Sequence, residues 1–215
     1  MVIRLACLDL DGTTVDDNSV VEAAFRQAVD DPSEDAMANV REMMGMSKIV
    51  VFRNLFQGDE TAARAANKRF ETAYSDSLDR VAPIDGARDT IDTLRLRGVQ
   101  VCLVTGFSTV TRDAVLEALG WRNAADLTLA PEEAYGGRGS PHPDLVLTAA
   151  LRLGVEDVRH IAVAGDTVND LLAGWRAGAS LVAGVLTGAH DRATLAIAPN
   201  SHLLDSIADL PAVIA

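Results

Sequence analysis

The chain has 215 residues, 48% of them hydrophobic, which is enough for one large domain or for one domain with an insert. Its 31 Asp and Glu residues outnumber 19 Lys and Arg, and the formal net charge of −12 argues against nucleic acid or an anionic membrane as a partner. An anionic substrate would therefore need a local positive site.

The two cysteines, Cys7 and Cys102, lie in apolar runs that read as strands, which favours small core residues over a disulfide or a metal pair. Such unpaired cysteines suit a reducing compartment. No apolar run approaches the ~18 residues of a membrane span, and Asp9 interrupts the first run before a signal-peptide core could form. We therefore expect a soluble cytoplasmic protein.

The first predicted element is a short buried strand from Val2 to Cys7, which leads into Leu8-Asp9-Leu10-Asp11-Gly12-Thr13-Thr14. Because side chains alternate along a strand, Asp9 and Asp11 are expected on the same side of the backbone. A hard divalent cation with oxygen ligands would offset the repulsion between the two carboxylates. A strand end followed by an Asp-Gly turn would explain the same residues without a metal.

Helical periodicity then extends to about residue 80, with Ser19 and Ser33 as predicted helix caps. The polar segments Val15-Asp16-Asp17-Asn18-Ser19 and Asp30-Asp31-Pro32-Ser33 interrupt the apolar pattern. After the first helix, further helices are predicted over 34–46, 47–56 and 60–78. Residues 16–80 are thus interpreted as a small all-helical domain.

From residue 81 the pattern alternates between helices and strands. Apolar runs predict strands over 99–104, 160–164, 180–185 and 202–204, and the intervening helices stop at glycines. Strands separated by helices of this length need parallel crossovers, so residues 1–15 and 81–215 are expected to form an α/β domain with a doubly wound parallel sheet. Ligands bind at the carboxyl ends of such strands, which is where Asp9 falls.

Two further segments place polar residues after predicted strands. Thr105 and Gly106 follow one strand, and a hydroxyl with close backbone N–H groups can grip a phosphate, although an ordinary strand-to-turn junction has the same residues. Asp166 follows another strand and Asp170 lies one turn into the next helix, so both could face one cation. Asp166 could equally be a helix cap.

Taken in this order, the segments resemble the motifs of the haloacid dehalogenase superfamily over nearly the whole chain. The first motif reads Asp9-Leu10-Asp11-Gly12-Thr13, the second is Thr105, and the fourth runs from Gly165-Asp166 to Asp170. The helical segment resembles that family's cap domain of the first type, which closes over the substrate. The resemblance implies a Rossmann-like core with a cap inserted after the first strand.

The resemblance also implies roles for individual residues. Asp9 would be the nucleophile that forms an aspartyl-phosphate, and Asp11 would protonate the leaving group and then activate water. Mg²⁺ would be held by the Asp9 carboxylate, the Asp11 backbone carbonyl and Asp166, with Asp170 in support. Thr105 and a basic side chain would neutralise the phosphate. The substrate, a small phosphorylated metabolite, would contact Thr13, Gly45, Lys48 and Gly106.

The third motif departs from the family pattern. Lys or Arg usually precedes Pro-x-Pro-Asp, but Ser140 stands in that place in Ser140-Pro141-His142-Pro143-Asp144. Arg138 lies two residues earlier, between glycines, and is predicted to reach the site. A solvated loop arginine is the alternative.

Several stretches resemble the phosphonatase-like branch of the family. Met44-Gly45-Met46-Ser47-Lys48 matches the Met-Gly-x-x-Lys of phosphonoacetaldehyde hydrolases, whose lysine forms a Schiff base. Those hydrolases have Ala where this chain has Asp11, and His where it has Val51. Because an alkoxide leaving group needs an acid, Asp11 favours a Mg²⁺-dependent phosphomonoester phosphatase. Phosphonoacetaldehyde hydrolase, a phosphoryl mutase and a non-catalytic binding domain remain alternatives, as do a monomer and a homodimer.

Overall fold

Six parallel strands form the main sheet of the computed structural model, which describes residues 2–17, 19–30 and 32–214. Asn18 and Asp31, from the two polar interruptions, lie outside the described residues. The strands are β1 (Leu5–Asp9), β2 (Val15–Asp16), β3 (Ala82–Pro83), β4 (Gln100–Val104), β5 (Leu127–Leu129), β6 (Ile161–Gly165), β7 (Leu181–Val185) and β8 (His202–Leu204).

The helices lie between these strands in the alternation that the sequence predicts. They are α1 (Val20–Ala28), α2 (Glu34–Glu42), α3 (Lys48–Leu55), α4 (Glu60–Ser75), α5 (Ala87–Leu96), α6 (Thr109–Ala118), α7 (Asp144–Arg152), α8 (Val168–Ala177), α9 (Arg192–Leu195) and α10 (Leu210–Val213). In the main sheet the strand order is β5-β4-β1-β6-β7-β8, and every pairing is parallel. The predicted fold class is therefore confirmed.

Strand β1 lies in the middle of this sheet, hydrogen-bonded to β4 and β6. All five of its residues are buried, as expected for a strand covered on both faces by helices. Cys7 faces Cys102 in the register with β4, and both thiols are free and buried, as predicted. The last residue of β1 is Asp9, so the fold puts this carboxylate at the centre of the carboxyl-end edge.

The helical insert after β2, here called the cap, consists of α1–α4 and the loops between them. Its centre is aromatic: the ring of Phe25 lies 5.0 Å from Phe52 and 4.7 Å from Phe70, centroid to centroid. The cluster continues through Tyr74 to Phe107, a residue of the loop after β4, at 4.7 Å. The cap is thus packed against the sheet domain through rings that are almost wholly buried.

The two segments that lead into and out of the cap run side by side. Strands β2 and β3 pair antiparallel, with Val15 opposite Pro83 and Asp16 opposite Ala82. This two-residue ribbon was not expected from the sequence, because neither segment has a strand-like apolar pattern. The predicted domain boundary at 15/16 falls within β2 and the one at 80/81 falls just before β3, and both stay a prediction.

The first cap helix begins differently from the prediction. Ser19 has a left-handed backbone, with φ of 64°, and its hydroxyl caps nothing. The Asp17 carboxylate takes its place and accepts hydrogen bonds from the amides of Ser19 at 3.0 Å and Val21 at 2.6 Å. Ser33 does cap α2, by accepting from the amide of Ala36. Asp17 was overlooked because it lies outside the expected cap position.

Among the described residues, no helix combines the length and apolarity needed to cross a membrane.

Candidate active site

Three buried carboxylates meet at the carboxyl ends of β1 and β6. Asp9 is the last residue of β1, Asp166 follows β6, and Asp170 lies in the first turn of α8. One carboxylate oxygen from each lies within 4.8 Å of the others. The structure therefore brings together three of the four residues that the sequence nominates as metal ligands.

Local hydrogen bonds fix the orientation of Asp166. The Thr13 hydroxyl donates to its Oδ1 at 3.1 Å, and the backbone amide of Ala189 donates to its Oδ2 at 2.7 Å. Gly12 and Gly188 pack against this carboxylate so closely that a Cβ atom at either position would collide with it. Asp166 is thus held by two loops, one after β1 and one after β7.

Helix α8 holds Asp170 through its own N-terminus. Thr167 caps the helix and its amide donates to Asp170 Oδ2 at 3.2 Å, while the Thr167 hydroxyl donates to the same oxygen. On its other side, the hydroxyl of Ser140 donates to Asp170 Oδ1 at 3.0 Å. Both oxygens of Asp170 are therefore fixed by neutral donors.

Burial and mutual repulsion dominate the electrostatics of the cluster. Burial, and then the charges of Asp170, Asp166 and Asp11, hold the pKa of Asp9 well above its usual value, and Lys48 opposes them. Burial and the Asp170 charge raise the pKa of Asp166 to about 7. Burial also raises the pKa of Asp170. A divalent cation would reverse these shifts, because it favours the ionised carboxylates.

The donor set fits such a cation. Three buried carboxylates offer hard oxygen ligands, which suit Mg²⁺ or Ca²⁺, and the single charge of Lys48 offsets their mutual repulsion only in part. Asp11 belongs to the same region: among the described residues its buried Oδ1 has no hydrogen-bonding partner. Burial and then the charge of Asp17 raise the pKa of Asp11, which favours a protonated carboxyl.

A cavity of about 600 Å³ opens above the carboxylates, a volume suited to a small molecule. Its walls include seven residues that the sequence nominates for the site, namely Asp9, Asp11, Gly45, Lys48, Thr105, Gly106 and Asp166. The Thr105 hydroxyl accepts a hydrogen bond from the amide of Phe107 at 3.1 Å, which leaves its own proton available to a ligand.

The cap closes this cavity from above. The amide of Lys48 donates to the carbonyl of Gly106 at 3.1 Å, and the Asn169 side chain donates to the carbonyl of Met44 at 2.7 Å. Gly45 packs against Thr167, and Gly106 packs against the Met46 carbonyl, each so closely that a Cβ atom would collide. Both glycines thus permit the contact between cap and sheet domain.

Two nominated residues lie elsewhere than the sequence suggests. Arg138 does not line the cavity: its side chain is 56% exposed, and its guanidinium binds both oxygens of Asp144, at 2.7 and 2.9 Å. Asp144 is the first residue of α7, so this ion pair holds Arg138 against that helix instead of in the site. Thr13 is fully buried and donates to Asp166, so it positions a carboxylate and does not reach the cavity.

Other cavity residues were not nominated as site residues. From the loop after β7 come Thr187, Gly188 and Ala189, and from the cap come Glu22 and Arg41. The glycine of this loop, Gly188, is the sequence signal for a close approach of backbone to a ligand or side chain. No comparable signal marks Arg41, whose cavity contact depends on how α2 packs.

Comparisons with known proteins agree with this geometry. The family model for haloacid dehalogenase-like hydrolases matches residues 3–178. The chain is 28% identical to "Probable phosphatase IndB" of Dickeya dadantii, covering 96% of this chain and 91% of the relative. It is 29% identical to a phosphonoacetaldehyde hydrolase of Bacillus thuringiensis, covering 89% and 78% of the two chains.

A solved structure of a hydrolase from Pseudomonas syringae is similar to the whole fold. Its TM-score is 0.86 at 25% sequence identity, and the match covers 97% of this chain and 96% of that one. With the carboxylate cluster, the sheet order and the inserted cap, these matches confirm the resemblance seen in the sequence. The chain belongs to the haloacid dehalogenase-like hydrolase family.

Proposed function

We propose that this hydrolase is a Mg²⁺-dependent phosphatase, which cleaves a small phosphomonoester through an aspartyl-phosphate on Asp9. The observation that carries the proposal is the meeting of the Asp9, Asp166 and Asp170 carboxylates beneath a cavity that Asp11 also lines. A relative named as a probable phosphatase supports the reaction class.

The first chemical step is attack by a carboxylate oxygen of Asp9 on the phosphorus of the ester. The P–O bond to the leaving group breaks, and Asp11 donates its proton to the departing oxygen. Asp11 suits this role because burial raises its pKa and because its buried Oδ1 is unbonded among the described residues. The product of this step is an alcohol and a phosphorylated Asp9.

The second step releases phosphate. Asp11, now ionised, takes a proton from a water molecule, and the water oxygen attacks the phosphorus of the aspartyl-phosphate. The bond between phosphorus and the Asp9 oxygen breaks, which restores the carboxylate. Thr105 and the backbone around Gly106 bind the phosphoryl oxygens through both steps, because they line the same cavity.

Mg²⁺ held by Asp9, Asp166 and Asp170, with the Asp11 carbonyl, would screen the repulsion between carboxylate and phosphate. The cap excludes bulk water from this centre when it is closed.

Trapping the phosphorylated enzyme tests the nucleophile directly. We expect wild-type protein, quenched in acid during turnover of p-nitrophenyl phosphate with Mg²⁺, to show a phosphoryl adduct on the peptide that contains Asp9. Asp9→Asn should show no adduct and should lose phosphate release by at least about 10³-fold. An adduct in the variant, or full activity, would contradict the assignment. Thermal unfolding checks that the variant is folded.

A second candidate function is cleavage of the C–P bond of phosphonoacetaldehyde through a Schiff base on Lys48. It is favoured by the position of Lys48, buried to 6% exposure in the cavity wall, and by the similarity to a phosphonoacetaldehyde hydrolase. Asp11 argues against it, because an enamine leaving group needs no such acid. Borohydride added with phosphonoacetaldehyde would trap an adduct on Lys48 if this candidate were correct, and we expect none.

A further inference from the structure

The positive charge near the proposed phosphate site comes from the cap and not from the sheet domain. The described residues of the sheet domain that line the cavity include acidic, hydroxyl and glycine residues but no cationic side chain. The two cations of the cavity wall, Lys48 and Arg41, both belong to the cap. A doubly charged phosphate above buried carboxylates would be poorly compensated without one of them.

Arg41 already forms ion pairs with acidic residues of the cap. Its guanidinium lies 2.6 Å from a carboxylate oxygen of Glu22 and 3.9 Å from one of Glu34, and its side chain is 46% exposed. These bonds raise the pKa of Arg41 and hold it on the rim, at the junction of α1 and α2. Its charge is therefore offset by acids of the cap itself, which also pair with Arg26.

Lys48 is placed differently. It is buried at the start of α3, its amide is anchored on Gly106, and its ammonium lies 4.9 Å from the centre of the Phe107 ring. Its charge opposes the burial that raises the pKa of Asp9 and of Asp11, so it acts on both proposed catalytic carboxylates. A cation–π contact with Phe107 orients the ammonium and leaves its donors available to an anion.

The sheet domain carries a neutral residue where a basic side chain could reach the same centre. Ser140 is buried, and its hydroxyl lies 3.0 Å from Asp170 Oδ1. The nearby Arg138 cannot serve, because Asp144 binds it in a bidentate ion pair away from the cavity. Position 140 thus faces the carboxylates but brings no charge to them.

We propose that Lys48, carried by the cap, provides the phosphoryl group with the positive charge that the sheet domain lacks at Ser140. The proposal rests on the phosphatase function and deepens it. In it, Lys48 binds a phosphoryl oxygen through its ammonium group and forms no covalent bond with substrate. Because the lysine belongs to the cap, closing the cap over the substrate also completes the charge of the site.

Moving the charge from one domain to the other tests this proposal. Lys48→Ala should lower kcat/KM for p-nitrophenyl phosphate by about 10²-fold, as expected for loss of one charged phosphate contact. Adding Ser140→Lys to that variant should restore at least about tenfold. The matched control adds Ser140→Met, which has a long neutral side chain, and should restore nothing.

A second readout does not need turnover. Binding of inorganic phosphate in the presence of Mg²⁺, measured by titration calorimetry, should weaken in Lys48→Ala and recover with Ser140→Lys but not with Ser140→Met. The calorimetric result stands even if wild-type protein releases no phosphate from any ester, which would refute the proposed function alone. Equal phosphate binding by wild type and Lys48→Ala would overturn the inference.

Replacement of Lys48 itself covers the case in which a lysine at position 140 prevents folding. Lys48→Arg keeps a charge but cannot form a Schiff base, so it should keep kcat/KM within about tenfold of wild type, while Lys48→Met falls as far as Lys48→Ala. An arginine variant as inactive as the methionine variant would overturn the inference. Rescue by Ser140→Lys that equals rescue by Ser140→Met would also overturn it.

Discussion

The amide nitrogen of Lys48 lies 3.1 Å from the carbonyl oxygen of Gly106. This bond joins the first residue of a cap helix to the loop after β4, and it sets the lysine side chain in the wall of the cavity. The cap is therefore seated on the sheet domain, and its position decides which groups face the carboxylates.

The contact of Gly45 with Thr167 should be necessary for this seating. A methyl group at Gly45 would collide with the Thr167 hydroxyl, which itself bonds to Asp170. We expect Gly45→Ala to lower kcat/KM for p-nitrophenyl phosphate by at least about tenfold, because misplacing a catalytic group by about 1 Å costs up to 10²-fold.

The control for that variant is Gly98→Ala. Gly45 and Gly98 have similar positive φ angles, 81° and 78°, but nothing lies within 4 Å of a Cβ atom at Gly98. Both variants should lose about 1 kcal/mol of stability from backbone strain, whereas only Gly45→Ala should lose activity. Equal activity in the two variants would show that the contact with Thr167 is unimportant.

The hydrogen bond from Asn169 to the Met44 carbonyl should favour the closed cap. Its loss in Asn169→Ala removes a 2.7 Å bond between the two domains, and we expect kcat/KM to fall about fivefold, the equivalent of ~1 kcal/mol. Asn39→Ala is the comparison variant, since it removes a 2.9 Å bond to Asn54 within the cap. A similar decrease in both variants would contradict a role in closure.

Loss of the proposed acid should depend on the leaving group. Asp11→Asn cannot protonate an alkoxide, so we expect turnover of an alkyl phosphate to fall about 10²- to 10⁴-fold. With p-nitrophenyl phosphate, whose phenolate leaves without a proton, the first step should suffer much less. Steady-state kcat/KM, which reports that step, is the measurement. Equal losses on both substrates would remove Asp11 from the acid role.

The stability of metal-free protein should depend on pH through Asp166. Burial raises the pKa of Asp166 to about 7, whereas an unfolded Asp has a pKa of about 3.9. Between those values the folded state holds a proton that the unfolded state has lost, so this group's stabilising contribution disappears as pH rises from about 4 to about 7.

Asp166→Asn removes that titration. In EDTA, the Tm of the variant relative to wild type should therefore be higher at about pH 8 than at about pH 5. Adding Mg²⁺ at about pH 8 should stabilise wild type and leave the variant nearly unchanged. A Tm difference that is constant with pH, or equal stabilisation of both proteins by Mg²⁺, would contradict the role assigned to Asp166.

The sequence predicted the main sheet well, because its buried strands are continuous apolar runs separated by helices of regular length. Strand β5 was overlooked: Leu127–Leu129 is three residues long and has no pattern that separates it from a loop. The predicted helix over 34–46 ends at Glu42, since the chain must turn at Gly45 to meet Thr167. Contacts of this kind are not encoded in local periodicity.

Within the site, spacing located the carboxylates of Asp9, Asp166 and Asp170, because each directly follows or opens a regular element. Spacing did not place the predicted basic residue of the third motif. Arg138 is near the third motif in sequence, but its guanidinium binds Asp144, with Nε 2.7 Å from Oδ2. Whether such an arginine reaches the active site or binds a neighbouring acid depends on loop conformation, and two flanking glycines leave that conformation open in the sequence.

The most direct test of the central claim is product release from two substrate types in parallel. Wild-type protein with Mg²⁺ would be given a panel of phosphomonoesters, assayed for phosphate, and phosphonoacetaldehyde, assayed for acetaldehyde. We predict phosphate from at least one ester, lost in Asp11→Ala, and no acetaldehyde. Acetaldehyde formation that is lost in Lys48→Ala would contradict the account and identify the protein as a C–P bond hydrolase.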